Sequence, residues 1–71
     1  MKFQTALDAM KAGKKVKRVF WGGYWYWDNE KDDVVMHFSY GNEKNLRWTD
    51  DMYDALNSIC ADDWVIFEDN E

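Results

Sequence analysis

The sequence has no proline, one cysteine, one histidine and four glycines. A single thiol, Cys60, excludes an intrachain disulfide. With His37 the only imidazole, the usual zinc sites are excluded too, because they need four Cys or His ligands at set spacing. No apolar run approaches the length of a membrane span, and the first residues lack the apolar stretch of a signal peptide. No internal repeat, linker, low-complexity segment or glycine-rich phosphate loop is present. Together with the unpaired thiol, these absences make the host-cell cytoplasm the expected location.

Seventy-one residues are read as one domain, 1–71, with 68–71 as a frayed tail. A domain of this size hides only about 60% of its unfolded surface, so its stability margin is thin. Small chains compensate with disulfides, metals or self-association. The first two have no ligands here, so a homo-oligomer is expected. The net charge of −5 is unevenly spread. Lys11, Lys14, Lys15, Lys17 and Arg18 form one basic run, while the acids gather at 28–33, 50–54, 62–63 and 68–71. An acidic balance opposes general nucleic-acid binding, which rests on a positive field. It leaves room for a small anionic ligand at one basic spot.

What the sequence does have is aromatic rings, and Val16 to Trp27 concentrates them. This stretch holds Phe20, Trp21, Tyr24, Trp25, Tyr26 and Trp27 around a Gly22-Gly23 pair. Aromatic and β-branched residues favour a pleated, half-buried surface, and Gly-Gly is a two-residue hairpin signal. The reading is a hairpin of strands Lys15–Trp21 and Tyr24–Trp27.

Before it, Met1 to Ala12 reads as an amphipathic helix, with Thr5 as its cap and Ala6, Leu7 and Met10 as its stripe. Gly13 fits the left-handed residue past its end. The lysines nearby read equally as partners of the helix dipole or as ligand contacts. After the hairpin, a polar turn at 28–32 leads to a strand over Asp33–Tyr40. A Gly41-Asn42 turn then leads to a weaker strand at Asn45–Trp48. Thr49 caps a second helix, Asp50 to about Ile59, whose Met52, Leu56 and Ile59 are expected to face the sheet. Asp63–Glu68 forms the last strand, closed by Trp64. The order α-β-β-β-β-α-β predicts an α+β fold, a small antiparallel sheet with two helices on one face.

Catalysis has little support. Cys60 follows a helix C-terminus, beside Asp62 and Asp63, where a thiolate is disfavoured. Buried structural cysteine is the more usual role. The aspartate clusters read as caps or solvated faces rather than metal sites. No catalytic residue, metal ligand or cofactor is assigned, and the protein is not expected to be an enzyme. Binding has a firmer basis. Trp21, Trp25 and Trp27 suit stacking on a flat base, and Lys17 and Arg18 suit phosphates. With Gly22 and Tyr24, these make the candidate ligand site.

Two ends of the chain also form a pattern together. Phe3, Ala6-Leu7, Gly13-Lys14, Val16, Arg18 and Trp21-Gly22-Gly23 fit F-x-x-A-L, G-K-x-V-x-R and W-x-G. Ala61-Asp62-Asp63-Trp64-Val65-Ile66 fits A-x-D-W-x-I. The pairing resembles a family of small phage and prophage proteins that includes the second Thoeris anti-defence family. The likeness covers the first and last thirds; family members carry a longer central insertion than Asp28 to Trp48. It implies a sponge that binds cyclic ADP-ribose-type signals, or cyclic oligonucleotides, without degrading them. One relative is a CRISPR-nuclease inhibitor, an anti-CRISPR. The expected function is therefore a phage-encoded anti-defence protein that sequesters a cyclic nucleotide. The alternative is an inhibitor that binds a host defence protein through an acidic, aromatic surface.

Overall fold

In the computed structural model, which describes residues 1–68, four of the five strands are shorter than their sequence patterns predict, and the second, Tyr24–Asp28, runs one residue longer. The frayed-tail expectation for 69–71 lies outside the described residues. The elements run α1 (Phe3–Lys11), β1 (Val16–Arg18), β2 (Tyr24–Asp28), β3 (Asp33–His37), β4 (Glu43–Asn45), α2 (Met52–Cys60) and β5 (Trp64–Ile66). The five strands form one antiparallel sheet in the order β4-β3-β2-β1-β5. The fold is α+β, with the predicted order of elements.

Register assigns the faces. Val16 sits opposite Trp25 and Ile66, Trp25 opposite Met36, and Arg18 opposite Trp64. Paired residues in an antiparallel ladder share a face, and neighbours along a strand alternate. Val16, Trp25, Val34, Met36 and Trp64 thus make one apolar face, and they join Ala6 and Met10 of α1 in the core. The opposite face carries Lys17, Tyr24, Tyr26, Val35 and His37. Three indoles lock the core together: Trp21, Trp25 and Trp64 lie with ring centres 5.1 to 5.4 Å apart. Phe3 adds an edge against Trp25 and a tilted contact with Trp64.

Several local expectations are corrected. Lys2, not Thr5, is the cap residue of α1, and Thr5 lies inside the helix. Asp51, not Thr49, caps α2: its carboxylate accepts from the Asp54 amide at 3.0 Å, while the Thr49 hydroxyl accepts from the Asp51 amide. The strand predicted over 33–40 stops at His37, and Asn45–Trp48 is mostly a single 3₁₀ turn after β4. Gly13 and Gly41 do take left-handed backbone, with φ of 100° at each. Cys60 is exposed rather than buried.

The Gly22-Gly23 pair is not a two-residue hairpin turn. β1 ends at Arg18 because the Arg18 carbonyl accepts from the Trp21 amide at 3.0 Å, which turns the chain early. Residues 19–23 then form a longer loop. Neither glycine has positive φ; what requires one is close approach. A Cβ on Gly23 would lie 2.2 Å from the His37 carbonyl oxygen, inside any van der Waals contact.

The largest departure concerns α2. Its inward residues are Ala55, Ser58 and the half-buried Ile59, while Met52 and Leu56 point outward. The cause is Trp64. Its fully buried indole fills the space under the helix, and its Nε1–H donates to the Ser58 carbonyl at 2.9 Å. That bond draws the α2 backbone close, where only small side chains fit.

Candidate functional site

A cavity of about 420 Å³ opens on the helix-bearing side of the sheet. That volume lies within the usual range for small-molecule sites, roughly 300–1,000 Å³. The 19–23 loop forms one wall with Phe20 and Trp21, and the β3–β4 turn forms another with Phe38 and Tyr40. Thr49, Asp51 and Asp54, at the start of α2, close one end. Each aromatic wall is a ring pair: Phe20 and Trp21 meet edge to face at 6.5 Å, and Phe38 and Tyr40 stack at 5.5 Å. The groove is therefore aromatic on two sides and carboxylate-rich at one end.

The sequence-predicted site residues divide among three places. Trp21 walls the groove while leaning edge-on against Trp64, 5.2 Å between ring centres. Gly22 lies on the same lining, with room for a Cβ only 3.0 Å from the Ser39 Cβ. Trp25 is 5% exposed and belongs mainly to the core. Tyr24 lends the groove its lining but turns its ring to the other sheet face. There it stacks on His37 and tilts against Phe67, each at 4.6 Å.

The two predicted cations have internal partners. Lys17 donates from Nζ to the Trp21 carbonyl at 2.7 Å, which pins the loop from behind. Arg18 donates from Nε and Nη2 to the two carboxylate oxygens of Asp63, at 2.8 and 3.3 Å. Its guanidinium also lies over the Phe20 ring at 4.6 Å. The hydrogen bond from Arg18 holds the Asp63 carboxyl below its ordinary pKa. Neither Lys17 nor Arg18 lines the groove.

Trp27 belongs to a second, shallower hollow of about 320 Å³, lined by Lys14, Lys15, Tyr24, Tyr26 and Glu43 among others. Lys11 sits over the Trp27 ring at 4.9 Å and Lys15 over the Tyr24 ring at 4.8 Å. Glu43 accepts from the Tyr26 hydroxyl at 3.2 Å and pairs with His37 Nδ1 at 3.0 Å. Burial, and the Glu43 carboxylate beside it, push the Tyr26 hydroxyl above its ordinary pKa.

Sequence reasoning missed Phe20, Phe38, Tyr40, Asp51 and Asp54 as groove residues. Phe38 and Tyr40 showed only as alternating positions of a strand, and the aspartates only as a capping pattern. The pairing of β2 with β3 brings Phe38 and Tyr40 to Trp21, and the packing of α2 brings the aspartates; neither is visible before the register and packing are known. Among the described residues no three His, Cys, Asp or Glu side chains converge to hold a metal ion. No helix among them is long and apolar enough to cross a membrane. Comparison with family models, curated proteins and solved structures finds no match to this chain.

Proposed function

We propose that this protein is a non-enzymatic binder that holds a cyclic nucleotide signal in the Trp21 groove. The observation that carries the reading is the half-buried Trp21 ring walling a cavity of about 420 Å³, with aromatic pairs on two sides. A base stacks on such walls for about 1–3 kcal/mol. Asp51 and Asp54 suit ribose hydroxyls and exocyclic amino groups, both of which donate. The same carboxylates repel phosphates, so the phosphates of the ligand face the mouth. Cyclic ADP-ribose-type signals, rich in hydroxyls, fit this division better than compact dinucleotides. Together with the sequence likeness to phage anti-defence proteins, this favours sequestration of an immune signal in a host cell.

A sponge must reach nanomolar affinity, about −12 kcal/mol. One stack and a few hydrogen bonds in an open groove fall short of that. A second copy closing over the exposed Phe20 and Tyr40 rim supplies the missing enclosure. The test is a thermal-shift screen with cyclic ADP-ribose isomers and with cyclic di- and trinucleotides, followed by recovery of the ligand after denaturation. The expected result is a raised melting temperature and an unaltered ligand. Trp21→Ala should weaken binding roughly 5- to 150-fold, the loss of one stack, while keeping a cooperative melt. A screen with no stabilising nucleotide, or a ligand returned cleaved, would overturn the reading.

A further inference from the structure

Helix α2 carries its large apolar side chains on the outside. Met52 is 54% exposed, Tyr53 80% and Leu56 52%, and the exposed Cys60 completes the row. At 3.6 residues per turn these four span about 100° of the helix surface. An amphipathic helix on a small domain usually turns that arc inward. Here the inward arc is already taken by Ala55, Ser58 and Ile59 against the core. An uncovered arc of this kind marks a protein-contact surface.

Charge selects the occupant. From Trp48 to Glu71 the sequence has no Lys, Arg or His, and Asp50, Asp51 and Asp54 crowd the start of α2. Asp50 pairs with Lys44 at 2.6 Å, while the Asp51 carboxylate accepts from the Asp54 amide at 3.0 Å. A second copy laid antiparallel on this arc brings its C-terminal turn and Asp62 against Asp51 and Asp54. A parallel copy sets the aspartates against themselves. Either way acid meets acid with no cation in the segment to relieve it. Nucleic acid is opposed by the same charges. A helix that presents leucines flanked by lysines or arginines suits both the apolar arc and the uniformly acidic segment, 48–71, that carries it.

We infer that the outer arc of α2 (Met52, Tyr53, Leu56 and Cys60) is a docking face for a basic amphipathic helix of another protein. Met52, Tyr53, Leu56 and Cys60 lie outside the Trp21 groove, although Asp51 and Asp54 of the same helix line it. Occupancy of the two is separable by mutation.

The test uses a synthetic leucine/lysine amphipathic helical peptide and the same peptide with glutamate in place of lysine. Cys60 is the lone thiol and lies on the arc, so its alkylation rate reports coverage directly. The lysine peptide should bind, slow Cys60 alkylation and lose affinity as salt rises; the glutamate peptide should do none of these. Met52→Gln with Leu56→Gln should weaken peptide binding by about tenfold or more, as loss of a contact hot spot does. Tyr53→Ser provides the same test if the double variant melts early. Trp21→Ala should leave peptide binding unchanged. Equal binding of both peptides, or unchanged affinity in the arc variants, would overturn the inference. So would a self-associated protein whose Cys60 is protected until Met52 and Leu56 are replaced, because the occupant is then a second copy.

Discussion

Helices α1 and α2 each run nine residues, and each has an apolar pattern that periodicity would lay against the sheet. In α1 the pattern is obeyed. Ala6 and Met10 are buried, and Phe3 and Leu7 pack against the Trp25 and Trp64 cluster. In α2 the pattern is inverted, with Ala55 and Ser58 inside and the larger Met52 and Leu56 outside. The two differ in what lies beneath them. Under α1 there is room for side chains to interleave with the sheet. Under α2 the Trp64 indole takes that room and bonds the helix backbone itself. Periodicity reports that a helix has an apolar stripe; the size of the neighbour decides which arc turns inward.

The comparison can be broken first at Trp64, where the two helices share a support. Trp64→Ala should cost about 3–5 kcal/mol, as for other buried large aromatics. It removes the Phe3 contact on one side and the Ser58 bond on the other. A near-normal melting temperature would show that α2 does not hang on this indole. A matched pair of substitutions sharpens the contrast next. Met10→Ala should cost about 2–5 kcal/mol, whereas Leu56→Ala should stay within about 0.5 kcal/mol. Chemical denaturation of both variants reads the difference directly. Similar losses would mean that the outer arc of α2 is already covered in the free protein.

The smallest effect concerns the clamp that holds β1 to the residue before β5. Folding lowers the Asp63 pKa through its bond to Arg18, so the ionised form is favoured in the native state. That contribution is complete above the ordinary aspartate range, near pH 4. It is lost as pH falls through the depressed native value. Arg18→Gln should therefore melt below the parent protein at pH 7, and the gap should close on acidification. A gap that stays constant down to strongly acidic pH would assign Arg18 a packing role on Phe20 instead.

Much of the fold was legible because local signals agreed. Gly13 and Gly41 marked real turns, the polar run at 28–32 separated real strands, and Trp64 stood out as a core anchor. What misled were signals with two physical uses. Gly22-Gly23 reads as a hairpin turn, yet Gly23 is required by the His37 carbonyl lying against it. Arg18 reads as a phosphate ligand, yet its fork closes on a carboxylate 45 residues away. Of the aromatics that stand out in the sequence, Trp21 lines the groove. Its opposite wall, Phe38 and Tyr40, needed the strand register before it could be assigned.

The position of β1 inside the sheet has a consequence for how the molecule comes into being. Its Lys17 lies across from Val65, so a strand made early waits for one made much later. Until a ribosome has delivered that segment, Met10 and the earlier tryptophans have no Trp64 to close on, and they stay open to solvent. Contacts this distant in sequence slow folding, and apolar surface left waiting is prone to aggregate. Truncation anywhere before Trp64 should therefore leave a sticky nascent chain rather than a smaller working domain.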